Sequence, residues 1–228
     1  MSKWMGEMFP HPKEFKRTDR FGNERSWVEP GLEITNKVVC EPCNNGWMSR
    51  LETDYAKPAM APMMMGDINA PFGRNEARAL ALFAFKSSVV LDYVQRHRDP
   101  FFSRWQRQKF KEHLFIPFNV KMFLSPYVPK ERRRRFDHRV MNIETKLSTG
   151  NEMQLFVCSY GFANLAYQVV AYKVLSSRNF VPLPGFDHLA IPFWPNLPID
   201  YVWPGNAGLR SHDEFRGFHE RWQSVASI

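Results

Sequence analysis

At Phe118 the apolar residues of this chain change their period, from the three-to-four spacing of helices to the alternation of strands. Upstream, Asn75 caps a helix reaching about Gln95 that is apolar on nearly all sides from Ala79 to Phe85. A helix of that kind has to be buried, and it is expected to be the spine of the main domain. Downstream, runs beginning at Val120, Val140, Met153 and Leu165 are rich in β-branched and aromatic residues and read as four strands. Thr149-Gly150-Asn151 and Gly161-Phe162-Ala163 mark tight connections, which favour antiparallel neighbours. A buried helix with an antiparallel sheet is an α+β architecture.

The remaining punctuation divides the chain into a small module at 1–58, a linker at 59–73 and an α+β domain at 74–228. Met1 to Glu33 shows no sustained period and reads as an irregular segment held by aromatic anchors. Ile34–Cys40 is β-prone. Pro42 and Asn44-Asn45-Gly46 mark a turn, and Asn44 or Asn45 caps a helix whose apolar face is Trp47, Met48, Leu51 and Tyr55. Pro58 should end it. Met60 to Phe72, rich in Met, Pro and Gly, reads as linker, with Met63-Met64-Met65 a loop tucked against the core rather than a soft binding surface. Asp99 and Pro100 are an N-cap and N1 pair for a helix to about His113, and Pro129 to Phe136 reads as a short basic helix. In the tail, Trp194-Pro195 and Trp203-Pro204 lie in an extended segment. Ser211 and Glu214 form a capping box for a last helix that buries Phe215, Phe218, Trp222 and Val225.

With 44% apolar and 15% aromatic residues in 228, the chain has ample material for a packed core. No apolar run approaches the ~20 residues that span a bilayer, so a membrane partner is not expected. The N-terminal residues contain an acid and no apolar core, unlike a signal peptide. Three cysteines are poor material for a disulfide framework and fit a reducing compartment, so a cytoplasmic protein is expected. The net charge of +8 is concentrated: residues 96–139 hold 13 Lys/Arg against 4 Asp/Glu, while the rest of the chain is nearly balanced. Such concentration is the footprint of a surface facing phosphates, the bland alternative being a solvated helix face. Within it, Arg104, Arg107 and Lys111 on one helix and the run Arg132, Arg133, Arg134, Arg135 are the candidate nucleic-acid contacts.

The sharpest local feature is Cys40-Glu-Pro-Cys43-Asn44-Asn45-Gly46-Trp47-Met48. Two thiolates at this spacing, on a turn leading into a helix, can reach one metal ion, and a tetrahedral zinc then needs two more ligands. The C-x-x-C pair by itself is open to chance, redox and metal readings. The other cysteine and the histidines do not extend it. Cys158 alternates with Phe156 and Tyr160 as a small buried hydrophobe, His11 sits between two prolines as a loop residue, and His138 reads as a strand-edge residue that could touch phosphate.

The longer string resembles the second knuckle of the HNH endonucleases, the treble-clef or ββα-metal nucleases, in the variant that closes with C-x-x-C-N-x-G-W-M at the start of a helix. The resemblance covers about residues 1–57, with an echo of bacterial proteins of this kind in the Trp-Pro pairs and last helix. It implies a structural zinc held by two C-x-x-C pairs, with Cys40 and Cys43 as the second pair. It also implies a catalytic divalent ion such as Mg2+ beside a histidine, with Asn44 matching the last letter of the motif and Asn36 near the middle one. Lys3-Trp4-Met5 resembles the segment that follows the catalytic histidine. This chain departs from the pattern in lacking the first C-x-x-C pair and any histidine before Lys3. The expectation is therefore an HNH-like protein acting on DNA, either amino-terminally truncated or catalytically degenerate. The alternative is a non-catalytic nucleic-acid-binding or interaction protein that keeps the knuckle as a structural staple.

Overall fold

The computed structural model describes residues 3–9, 13–18, 24–29, 38–94, 99–128, 136–146, 152–174, 189–196, 203–204 and 208–227. Helix α1 (Lys3–Met8) and strands β1 (Lys13–Thr18) and β2 (Glu24–Glu29) come first. A bent helical stretch follows, from α2 (Glu41–Cys43) through wide-turn segments at Asn44–Met48 and Leu51–Ala56 into α3 (Lys57–Met65). Then come α4 (Arg74–Val94), α5 (Arg104–His113), β3 (Val120–Pro126), β4 (Phe136–Lys146), β5 (Glu152–Phe162) and β6 (Leu165–Val174). Strand β7 (Ile191–Trp194), helix α6 (His212–Glu220) and a 3-10 turn at Arg221–Ser227 complete the order.

The fold is α+β. The four strand runs read from the sequence are β3 to β6, and with β7 they form a sheet in the order β4-β5-β6-β3-β7 with every pairing antiparallel. Sequence neighbours β4, β5 and β6 also neighbour in space. Strand β3 instead crosses to the far side of β6, with Val120 opposite Ala171 and Pro126 opposite Leu165. Along β5 the pleat sends Phe156 and Cys158 to one apolar cluster and Leu155 and Val157 to another. Both faces are therefore covered. On one side lies α4, whose residues from Ala79 to Lys86 are all buried. On the other lie Phe215, Phe218 and Trp222 of the C-terminal helix and turn.

A buried polar network ties that second layer to the sheet. Gln168 of β6 donates to Ser159 Oγ (2.8 Å) and to the Phe218 carbonyl (2.9 Å), and its Oε1 accepts from Arg221 (3.0 Å) and Trp222 Nε1 (2.7 Å). Ser159 Oγ in turn lies 2.9 Å from His219 Nδ1. A network of this kind, in which among the described residues only Arg221 Nε lacks a hydrogen-bond partner, fixes one packing of helix on sheet, because each unpaired buried member is costly.

Several local expectations are corrected. The amino-terminal segment read as irregular contains α1 and a β1–β2 hairpin with Phe15 opposite Trp27 in register. Its strands alternate charge with single aromatics, so no apolar period betrays them. Trp4, Met5 and Phe9 are buried in the same core as α4 and the sheet, Phe9 meeting Phe162 edge to face at 4.8 Å. The knuckle helix starts at Glu41, not after Asn44 or Asn45. Extended Cys40 is its N-cap, and Pro42 occupies the first turn, where its fixed φ and missing N–H are no handicap.

Pro58 likewise opens α3 instead of ending a helix, and the Met60 to Met65 part of the expected linker is helical, with Met60, Met63 and Met64 buried. Tyr55, placed on the apolar face, is 54% exposed. Helix α5 starts after Ser103 rather than Asp99. Ser103 and Gln106 cap each other (3.2 and 2.9 Å), while the amides of Phe101 and Phe102 are taken by the Asp92 carboxylate at 3.0 and 2.9 Å. At α6 the Ser211 hydroxyl caps Glu214 as expected, but the Glu214 carboxylate reaches back to the Arg210 amide, so the reciprocal half of the box is displaced by one residue. Asn36, His11 and the basic run Arg132 to Arg135 lie outside the described residues, as do most of the β-prone Ile34–Cys40 segment and all of the helix expected over Pro129 to Phe136 except Phe136, which instead begins β4.

Candidate nucleic-acid interface at the knuckle

The knuckle and the basic helix, over sixty residues apart in sequence, meet in space. Phe85 of α4 is the pivot, packing edge to face on Phe102 (5.0 Å) and on Phe110 of α5 (4.8 Å). Phe102 also meets Phe156 of the sheet at 5.1 Å. Contacts of this geometry contribute about 0.5–1.5 kcal/mol each beyond the area they bury. With Asp92 holding the chain before Ser103 and Lys173 donating to the Phe101 carbonyl, α5 is fixed on the spine. Trp47 of the knuckle then packs edge to face on Phe110 at 5.7 Å.

Between them opens a cleft of about 380 Å³. The knuckle contributes Cys40, Cys43, Trp47 and Met48, α4 contributes Lys86, Val89, Val90 and Tyr93, and α5 contributes Arg107, Phe110 and Lys111. The volume is that of a small-molecule site, and its lining combines apolar walls with a few cations. Lys86 is neutralised by Glu52 and lies 4.8 Å from the centre of the Phe83 ring. Arg107 donates to the Phe102 carbonyl and lies over Tyr93 at 5.2 Å, so this candidate contact is also a structural strut. Lys111 is exposed and lines the same cleft as Cys43.

Electrostatics single out Cys43. The neighbouring Cys40 thiol draws its pKa below the usual thiol value; burial opposes this, and the adjoining Trp47 and Lys111 side chains add to it. Cys158 is the opposite case: wholly buried in the sheet, its thiol is pushed up to about 12, chiefly by desolvation. It is the small hydrophobe that the strand pattern indicates.

The metal expectations can be set against the donor set. A closed zinc site takes four nitrogen or sulfur ligands. Among the described residues no group of three or more His, Cys, Asp or Glu converges, so within them Cys40 and Cys43 supply two of the four ligands such a site takes. Asn44 is exposed, and its amide donates to Asn45 Oδ1 at 3.3 Å. The described residues thus supply neither the carboxylates nor the histidine that a Mg2+ centre of the HNH type would use.

On α5, the exposed residues Arg104, Trp105, Gln108, Lys111 and Glu112 share one solvent face, with Trp105 61% exposed. The sequence singled out Cys40 and Cys43, and Arg107 and Lys111, as separate features that the structure brings to one cleft. It missed Lys86 and Tyr93, which belong to the α4 spine and carry only a core pattern. It also missed the Ser159–His219 contact, whose partners come from β5 and α6. That pair is sealed, at 0% and 4% exposure, and acts as part of the clamp between layers. Among the described residues no helix is long and apolar enough to cross a membrane. In comparisons with known proteins, no family model, no curated sequence and no solved structure matches the chain.

Proposed function

We propose that this chain is an HNH-nuclease-like protein that binds DNA through the joint face of its knuckle and helix α5. The observation that carries the reading is the packing of Trp47 on Phe110, which makes the motif's own helix start and the basic helix one surface. Phosphates would meet the exposed cations Arg104 and Lys111, with Arg107 held rigidly between them and Tyr93. Exposed Trp105 offers an aromatic face among these cations. The order of elements supports the family label: a two-stranded antiparallel hairpin precedes the helix that begins at the C-x-x-C pair, as a ββα unit requires.

Binding is the role these residues support best. Positioning on phosphates needs only placed cations, whereas hydrolysis needs a base and a filled metal shell. The test is fluorescence anisotropy with a labelled duplex. Saturable, salt-sensitive binding by wild type that weakens in an Arg104→Ala/Lys111→Ala variant supports the proposal. Equal binding by the variant, or none by wild type at low salt, overturns it. A parallel assay for DNA cleavage with Mg2+ separates the endonuclease reading from the non-catalytic one.

A further inference from the structure

We infer that the cleft between the knuckle, α4 and α5 is a binding site for a small apolar carboxylate, whose anionic group is held by Arg107 and Lys111. Two features carry the inference, the shape of the cleft and the sign of its charge. On α4, Lys86, Val89, Val90 and Tyr93 stand at i, i+3, i+4 and i+7, so one stripe of that helix forms a continuous wall. On α5, Arg107 and Lys111 stand four residues apart and share a face. The knuckle closes the third side with Trp47 and Met48. At about 380 Å³ the cleft has the room of roughly a dozen waters at ~30 Å³ each, which suits a ligand of about ten to fifteen heavy atoms.

The lysines and arginine of the lining are Lys86, Arg107 and Lys111. Glu52 neutralises Lys86, which leaves the two cations of α5 to face a ligand. Arg107 is already ordered: it donates to the Phe102 carbonyl, and its guanidinium lies over the Tyr93 ring at 5.2 Å. A guanidinium carries five N–H donors, so those left over can meet a carboxylate without the cost of first fixing the side chain. Exposed Lys111 adds a second positive charge one helical turn away. The other polar side-chain groups of the lining are the Tyr93 hydroxyl, the Trp47 indole and the two thiols. A nucleobase or a sugar has polar groups around its whole edge, and would bury several of them unpaired against Val89, Val90, Met48 and Phe110. A carboxylate on an apolar body meets the cations with its one polar end and the walls with the rest. The inference goes beyond the DNA reading. Arg107 and Lys111 serve both, whereas Arg104 serves DNA alone.

The probe is 2-naphthoate, a planar apolar carboxylate. Full-length protein is titrated by isothermal calorimetry, with 2-naphthamide as the uncharged isostere and AMP as the nucleotide comparison. One 2-naphthoate should bind per chain, about tenfold or more tightly than the amide, because hydrogen bonds to a charged acceptor are the stronger ones. Lys111→Gln, a change at an exposed position, should weaken binding about two- to fivefold, the worth of an exposed ion pair. Val90→Trp, which fills the cleft, should abolish it in protein shown by circular dichroism to be folded. Arg104→Ala should bind 2-naphthoate as wild type does even where it weakens DNA binding, so this test and that of the DNA reading fail separately. The inference is overturned if wild type binds no 2-naphthoate at millimolar concentration, if the amide binds equally well, or if Lys111→Gln keeps the wild-type affinity. AMP that binds more tightly than 2-naphthoate and displaces it would also overturn the inference, in favour of a nucleotide site.

Discussion

Trp47 and Phe110 meet edge to face with ring centroids 5.7 Å apart, and this contact joins the knuckle to the basic helix. Phe110 is 2% exposed and also touches Phe85, so Phe110→Ala should cost about 3–5 kcal/mol of stability in urea denaturation. Trp47 is only half-buried, and Trp47→Ala should cost less. A double-mutant cycle should return a coupling of about 0.5–1.5 kcal/mol. Strictly additive costs would show that the rings do not interact.

Asp92 bears on the position of α5. Its two carboxylate oxygens accept from the Phe101 and Phe102 amides, all of them buried. Asp92→Ala leaves two buried donors unpaired and should destabilise by about 2–6 kcal/mol, at about 1–3 kcal/mol for each group left unsatisfied. Asp92→Asn keeps one acceptor and should fall between. An alanine variant as stable as wild type would mean that the amides find other partners.

The clamp on the far side of the sheet has a pH signature. Burial, and then the charge of Arg139, pull the His219 pKa from its ordinary 6.5 to about 3. The folded state therefore favours the neutral ring. Its contribution is fully present above pH 6.5 and is lost as pH falls from there towards about 3. The slope from this one group should approach about 1.4 kcal/mol per pH unit. His219→Gln should start less stable and show a flatter profile across that window. Parallel profiles in the two proteins would contradict the assignment.

Gly66 ends α3 at φ 84°, a left-handed conformation, and a Cβ there would come 2.9 Å from Asn164 Nδ2, which donates to the Met64 carbonyl. Gly66→Ala should cost about 1–2 kcal/mol, the penalty of a left-handed alanine, and Asn164→Ala should recover the part due to the clash. Thermal denaturation of the three variants tests this. An unchanged Gly66→Ala protein would place the turn elsewhere.

How much of this was legible beforehand depends on range. The spine from Ala79 to Phe85, the strands at Val120, Val140, Met153 and Leu165, and the buried Cys158 follow from periodicity within one element, and all of them appear in the structure. The errors lie where a distant residue decides a local boundary. Asp99 and Pro100 look like a helix start, but Asp92 takes the Phe101 and Phe102 amides and delays the helix to Ser103. Pro42 and Pro58 look like breakers, yet each occupies a first turn that tolerates it. The site was legible as separate pieces. A C-x-x-C pair and a basic helix can each be read from sequence, but their meeting depends on Phe85 and Trp47, which carry only core patterns.

The measurement closest to the central claim is the salt dependence of DNA binding. Affinity of the full-length protein for a labelled duplex is followed by anisotropy over a range of salt concentrations. Log affinity should fall linearly with log salt, with a slope of about 0.9 per phosphate contact. Arg104→Ala/Lys111→Ala should weaken binding on every duplex tested and make the slope shallower by up to about 1.8, two contacts' worth. Replacing Arg132, Arg133, Arg134 and Arg135 together by Ala should reduce it further if that run also faces phosphate. Cys40→Ser/Cys43→Ser should leave the slope nearly unchanged, since it removes no cation. Absence of binding by wild type at low salt, or a slope untouched by the loss of Arg104 and Lys111, would contradict the account.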